Sequence, residues 1–278
     1  MDPVRAISLA ALCLLALGAV LWFSTGEVYS SLFLLPAVAA AAAYSLAPQL
    51  RWWYWQRHAP DLPTELAPLL DRFALYRRLG LAGKREFRRR TFLLREATHF
   101  IGKEPIEDRL PEDVRIMAAA SAATVTFHRE DFLLKDVETV VFYLHHFPSP
   151  QHDRLHAAEF YAPDGAIIYV LNVFLRSCVE PDKYLQLGYY EYGRALLHVE
   201  PELRRQLAPY VLDYPQLEAV TGFPEAALRG FVGLEELDRT ALTTTVYHSH
   251  REAFAAQHPE AFAGIDRIFA PAAPPPAP

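Results

Sequence analysis

The chain has 278 residues, 52% of them apolar, with 27 Lys+Arg against 33 Asp+Glu, 12 Gly and 22 Pro. That suits a packed core with something added to it, and it excludes a disordered chain, a collagen repeat or a disulfide scaffold. Cys13 lies in an apolar run and Cys178 in the polar part, which argues against a structural disulfide and places the bulk of the chain in a reducing compartment.

The net charge of −6 is unevenly spread. Residues 1–50 are almost uncharged. Residues 51–95 carry eleven Lys and Arg against four Asp and Glu, and the remainder is acidic. In the first zone no charge occurs from Ala6 to Gly26 or from Val28 to Leu50. Each run can cross about 30 Å of hydrocarbon as a helix, so the zone reads as a two-helix transmembrane hairpin. Bulky Leu21-Trp22-Phe23 closes the first run, unlike the small-residue exit of a signal peptide, and Leu12 spoils a lipoprotein site at Cys13. Pro36 is tolerable within the second run if its freed carbonyl finds a partner.

The turn Thr25–Ser30 has Glu27 and no basic residue, whereas Arg51 and Arg57 follow the second run. Both termini are therefore expected on the cytoplasmic side of the membrane. The linker 51–61 opens with Trp52, Trp53, Tyr54 and Trp55, where an interfacial aromatic belt would sit. Arg88-Arg89-Arg90 suits either lipid headgroups or a solvated helix face, and the acidic remainder argues against direct nucleic-acid binding.

A second domain is expected over residues 62–270. Thr64 can cap a helix through Leu79, and a second helix runs from Lys84 to Ile101 with Phe87, Leu94, Ala97 and Ile101 on one stripe. A third, Pro111 to Thr126, is rich in Ala and Ser and can lie close to a neighbour. Strands are expected at Glu138–Leu144 and Ala166–Val173, with turn chemistry at Pro163-Asp164-Gly165. Helices follow near 182–198, 201–212, 224–247 and 250–269, and the Pro/Ala tail 271–278 reads as disordered. This order gives an α+β class in which helices dominate a small sheet.

The informative segment is Tyr184 to Leu197, an apolar helix with a carboxylate, Glu191, embedded in it. In a HExxH helix two His one turn apart hold zinc and the Glu beside the first activates the bound water. Here that spacing reads Tyr190-Glu191-Tyr192-Gly193-Arg194, so the Glu remains and both His positions are replaced.

The chain resembles the Mlc titration factor A family of zinc-dependent peptidases. The likeness is carried by Val114-Arg115-Ile116 leading to Ala118–Ala122, Val125-Thr126-Phe127, Asp131-Phe132, Phe147–Pro150, Gly165-Ala166-Ile167, Gly188–Leu196 and Glu252–Glu260, taken in their shared order. The resemblance implies a zincin-like peptidase domain and zinc as cofactor. Counting back from Phe254, it also implies Asp238 at the third ligand position, a Glu in the family. A cytoplasmic protein partner is implied too, since the family's namesake sequesters a transcriptional repressor of sugar-uptake genes.

The departures shape the expected function. A phenol at Tyr190 is a poor donor to zinc, and the guanidinium of Arg194 has no lone pair to give. No catalytic metal is expected, and Glu191 reads as vestigial. Arg194 can instead act as the cation of the site, pairing with Glu191 and, across the groove, Asp238. The leading expectation is a membrane-anchored, catalytically inactive homologue acting as a protein-binding or regulatory module. The alternative is an active zinc-dependent hydrolase rebuilt around Glu191, Asp238 and other donors.

Other constellations are weaker. His152 and His156, with Glu159 near, have ligand spacing but follow Pro148-Ser149-Pro150, which favours a loop. His248 and His250 diverge on a helix and read as surface residues, and His145-His146 would end a strand with rings on opposite faces. Ser177-Cys178 has no evident base, and Cys178 reads as a small buried residue.

Overall fold

The structure, a computed structural model, describes residues 3–25, 30–103, 105–107 and 110–269. The expected turn around Glu27 and the Pro/Ala tail lie outside those residues. The chain divides into two units, Met1–Pro60 and Asp61–Pro278.

In the first unit, α1 (Pro3–Thr25) packs along α2 (Ser30–Ser45), and α3 (Ala47–Arg57) follows after a turn at Leu46. Val4, Ala11, Gly18, Pro36 and Ala43 are the buried positions among the described residues of the first two helices, mostly small ones that permit close approach, while Leu9, Leu12, Leu17, Val20, Leu35 and Val38 point outward. Val4–Ser24 is 21 residues long and the one helix among the described residues that is long and apolar enough to cross a membrane. The second expected span, Val28–Leu50, is not a single helix. Pro48 has no N–H to continue the ladder, so the apolar helix stops at Ser45 after 16 residues, about 24 Å against the roughly 30 Å of a hydrocarbon core. The expected linker is also largely helical, because α3 carries Arg51 to Arg57 with Arg57 over the Trp53 ring at 4.3 Å.

The second unit is mostly helical around a four-stranded mixed sheet of order β1-β2-β4-β3. Its strands are β1 (His99–Gly102), β2 (Thr139–Tyr143), β3 (Ala158–Tyr161) and β4 (Ala166–Val170). The first three in that order run parallel, and β3 is an antiparallel edge strand. The turn expected at Pro163-Asp164-Gly165 joins β3 to β4. Gly165 is needed there, with φ of +56° and a position where a Cβ would lie 2.1 Å from the Asp136 carbonyl oxygen.

Several helices are shorter than expected. The 64–79 helix is a 3-10 turn at Ala67–Arg72 followed by α4 (Ala74–Arg78), because Phe73 is extended between them. The next helix, α5 (Leu81–Ala97), ends where Thr98 turns extended into β1, so the stripe holds at Phe87 and Leu94 but not at exposed Ala97. Arg90 of α5 donates to the Phe127 and Arg129 carbonyls at 3.0 and 2.7 Å, and Glu86 accepts from both Arg89 and Arg90. Two of the three arginines are thus held within the fold, and Arg88 donates to the Tyr76 hydroxyl.

α6 (Glu112–Thr126) is buried along almost its whole length between α5 and α8 (Leu187–Val199), as its run of small residues permits. α7 (Leu171–Val179) follows β4 directly, cutting short the expected strand. Later come α9 (Pro201–Leu207), α10 (Tyr214–Thr221), α11 (Glu225–Val232), α12 (Arg239–Ser249), α13 (Arg251–Gln257) and α14 (Pro259–Ile268). Gly233, at φ +88°, ends α11 and splits the helix expected over 224–247, and Pro259 splits the one expected over 250–269.

Candidate functional site

α8 lies at the centre of the second unit, packed against α6, α7, α12 and the edge strand β3. Its first turn is fixed by side chains. Gln186 Oε1 accepts from the Gly188 amide at 3.1 Å, and Ser177 Oγ accepts from the Leu187 amide at 3.2 Å. Gly188 allows the close approach to α6, since a Cβ there would sit 2.2 Å from Ser121 Oγ. Cys178 lies buried beside Gln186 with its thiol pushed up to about 12 by burial, as suits a small packed residue.

Tyr190 and Glu191 are fully buried, and Arg194 retains 20% side-chain exposure. Arg194 Nη1 donates to Glu191 Oε2 at 2.8 Å, and the guanidinium carbon stands 5.8 Å from the centre of the Tyr190 ring. Glu191 Oε1 has no hydrogen-bond partner. Burial raises the Glu191 carboxyl above its ordinary range against the pull of Arg194. Burial also opposes the charge on Arg194, but Glu191, Tyr190 and Asp238 outweigh it and hold the guanidinium above its usual value.

The Tyr190 hydroxyl accepts from the Asp238 amide at 3.0 Å, and burial raises its pKa well beyond the ordinary phenol value. Asp238 is the N-cap of α12: its Oδ1 accepts from the Thr240 and Ala241 amides, while Oδ2 accepts from Arg204 at 2.6 Å. The expected pairing of Arg194 is therefore half realised. Glu191 is its partner, whereas Asp238 pairs with Arg204, a residue nothing in the sequence pattern marked.

These positions do not fit zinc. One seat holds a protonated phenol, another a guanidinium, and the third carboxylate already serves a helix cap and an ion pair. Only Glu191 Oε1 is an uncommitted oxygen among the four residues.

A second cluster gathers the residues of the histidine loop. His156 Nε2 lies 3.1 Å from Glu159 Oε2, His156 Nδ1 lies 2.9 Å from the Arg154 carbonyl, and Ser149 Oγ donates to Glu159 Oε1 at 3.1 Å. His152 Nε2 stands 3.9 Å from the same Oε1. The fold thus brings His152, His156 and Glu159 together, with His156 hydrogen-bonded to Glu159, and His152 edge-on to the His156 ring and beyond hydrogen-bond distance of the carboxylate. Among the described residues no group of three or more His, Cys, Asp or Glu is arranged to hold a metal ion. Glu159 is fully buried. Burial favours its protonation, but hydrogen bonds from His156 and Ser149 outweigh that and hold its carboxyl below the ordinary range.

Two expectations for the remaining histidines need correction. His145 and His146 lie past the end of β2 in an exposed bend, so strand alternation does not apply to them. His248 is buried, not on the surface, because α12 packs its ring among Tyr189, Tyr247 and Phe269. Comparison of the chain with protein-family models, with curated proteins and with solved structures yields no match.

Proposed function

We propose that this chain is a membrane-anchored, catalytically silent relative of the Mlc titration factor A peptidases, in which a zincin-like domain serves as a regulatory module that holds a cytoplasmic protein. The observation that carries this reading is the Arg194–Glu191 pair at 2.8 Å, in the helix that resembles the family's metal-binding element. A permanent cation there repels a dication, and its bond to Glu191 takes up one oxygen of the carboxylate that would activate water. The fold is consistent with it, in that an antiparallel edge strand lies along the site helix.

In this reading α1 is the anchor in a bacterial inner membrane. The basic residues that follow α2 favour the cytoplasmic side for the second unit. The aromatic residues of α3 lie at the interface, and the retained protein partner is of the transcriptional-regulator kind.

The test is a peptidase assay on the full chain in detergent, with zinc supplied and an unfolded protein as substrate. Cleavage at the level of the blank, unchanged by Glu191→Gln, is expected. Cleavage that Glu191→Gln abolishes would establish the rebuilt-hydrolase reading instead. In-cell photocrosslinking then follows the partner, which should be captured equally by the wild-type and Glu191→Gln chains.

A further inference from the structure

Apart from α8, the second unit holds a cavity of about 220 Å³ between α4, the end of α6, α12, α13 and α14. Its walls are aromatic and aliphatic, with Phe127 and Phe269 among them, and four nitrogen-bearing side chains reach it: Arg78, His128, His248 and Arg251. The volume exceeds the roughly 150 Å³ that admits a benzene ring in an apolar protein core. It falls short of the 300–1,000 Å³ or so of a site for a drug-sized ligand.

The polar groups are unbalanced. Asp266, the one carboxylate of the lining, is taken by the Tyr247 hydroxyl at 2.7 Å and by an ion pair with Arg251. Arg78 donates to the Ala74 carbonyl and has no carboxylate paired with it among the described residues. Two guanidinium groups therefore share one carboxylate, which leaves the cavity with one positive charge in excess.

Two buried nitrogens of the lining, His128 Nδ1 and His248 Nε2, have no hydrogen-bond partner. The charged and titratable groups that act on His248 are His128, Arg78 and Arg251, none of them acidic. Burial and these neighbours pull His248 down to about 3, and burial with Arg129 pulls His128 down to about 4. Both rings are neutral at physiological pH, so neither adds charge, and each offers one N–H and one lone pair. Buried polar atoms without partners are uncommon in a folded protein, but these two have almost no accessible surface and the His128 ring also has the Val125 backbone beside it, so the rings serve the cavity as neutral walls.

We propose that this cavity binds a small monoanionic organic acid, a carboxylate carried on an apolar body about the size of a single ring. Arg78 supplies the unpaired charge, the neutral histidine rings form part of the wall, and Phe127 and Phe269 flank the body. A single excess positive charge favours one carboxylate over a dianion. The inference is independent of the reading of α8, because none of the residues involved belongs to that helix.

The experiment uses the full chain in detergent micelles, with benzoate as the probe, neutral benzamide as its isostere and inorganic phosphate as the bare anion. Binding is followed by calorimetry and by the resonances of ring-labelled histidines. Benzoate should bind saturably and shift the His128 and His248 resonances. Benzamide, phosphate and the variant Arg78→Gln should each weaken binding about tenfold or more, the loss expected of one charge-assisted hydrogen bond or of the apolar body. Arg78 reaches solvent, so the variant should keep its melting temperature, which is measured alongside. No saturable binding of benzoate would overturn the proposal, as would benzamide or phosphate equal to benzoate, or affinity unchanged in Arg78→Gln.

Discussion

Replacing Arg194 with Ala removes the one hydrogen-bond partner of a fully buried carboxylate whose other oxygen already has none. Breaking a buried ion pair from one side generally costs about 3–5 kcal/mol. A second route gives a ceiling. The stranded Glu191 can take up a proton, and doing so at pH 7 from an ordinary value of 4.5 costs about 3.4 kcal/mol at 1.36 kcal/mol per unit. Since Arg194 is partly hydrated and burial already raises Glu191 in the wild type, about 2–3 kcal/mol is expected at pH 7. In a unit of this size that is a drop of roughly 4–12 °C in melting temperature.

The pH dependence identifies the cause. A carboxyl whose folded pKa is raised contributes stability that is complete below its unfolded value, and that contribution is lost as pH rises through the folded value. Without Arg194 the folded value of Glu191 rises further, so the gap between variant and wild type should be small near pH 4.5 and widen towards pH 7. Thermal melts of the full chain in detergent across that range measure it. The double variant Glu191→Leu/Arg194→Met should recover most of the loss, because no charge is then stranded. Equal melting temperatures for Arg194→Ala and wild type at pH 7, or a gap independent of pH, would show that no buried charge is stranded.

Three further outcomes are expected. Gly188→Ala places a Cβ 2.2 Å from Ser121 Oγ and 2.7 Å from its Cβ, forcing α8 away from α6 at a cost of about 1–3 kcal/mol, visible as a lower melting temperature. Glu159→Gln should cost about 1.5–3 kcal/mol at neutral pH, and urea titrations should show that difference fading in acid. The sign follows from its depressed carboxyl, whose contribution is present above the ordinary value of 4.5 and is lost as pH falls through the folded value. Asp238→Asn should keep the cap of α12, whereas Asp238→Ala should lose about 1 kcal/mol more, as measured by chemical denaturation.

Sequence reading reached the elements with strong local signals. The buried Ala-rich α6, strands β2 and β4, the Gly165 turn and the apolar α8 all follow from periodicity, β-branched runs or turn chemistry. What it missed lies where tertiary packing decides. β1 and β3 are four residues each, too short to show a pattern, and β3 carries the buried Glu159, which reads as polar until Ser149 and His156 are brought to it. The long expected helices break at Phe73 and His258, each a single residue leaving helical geometry, and over the six residues 233–238 that open with Gly233.

At the candidate site, the Arg194–Glu191 contact was legible because residues three apart share a helix face. Arg204 was not, because it reaches Asp238 from α9, thirty-four residues away in the chain. The burial of His248 was hidden for a similar reason. Its neighbours Tyr189 and Phe269 come from α8 and from the end of α14.

Metal stoichiometry of the purified full chain, after equilibration with zinc and removal of excess, bears most directly on the silent-site reading. The account predicts a content far below one ion per chain, unchanged by Glu191→Gln. One zinc per chain, released when Glu191 or Asp238 is replaced, would contradict it.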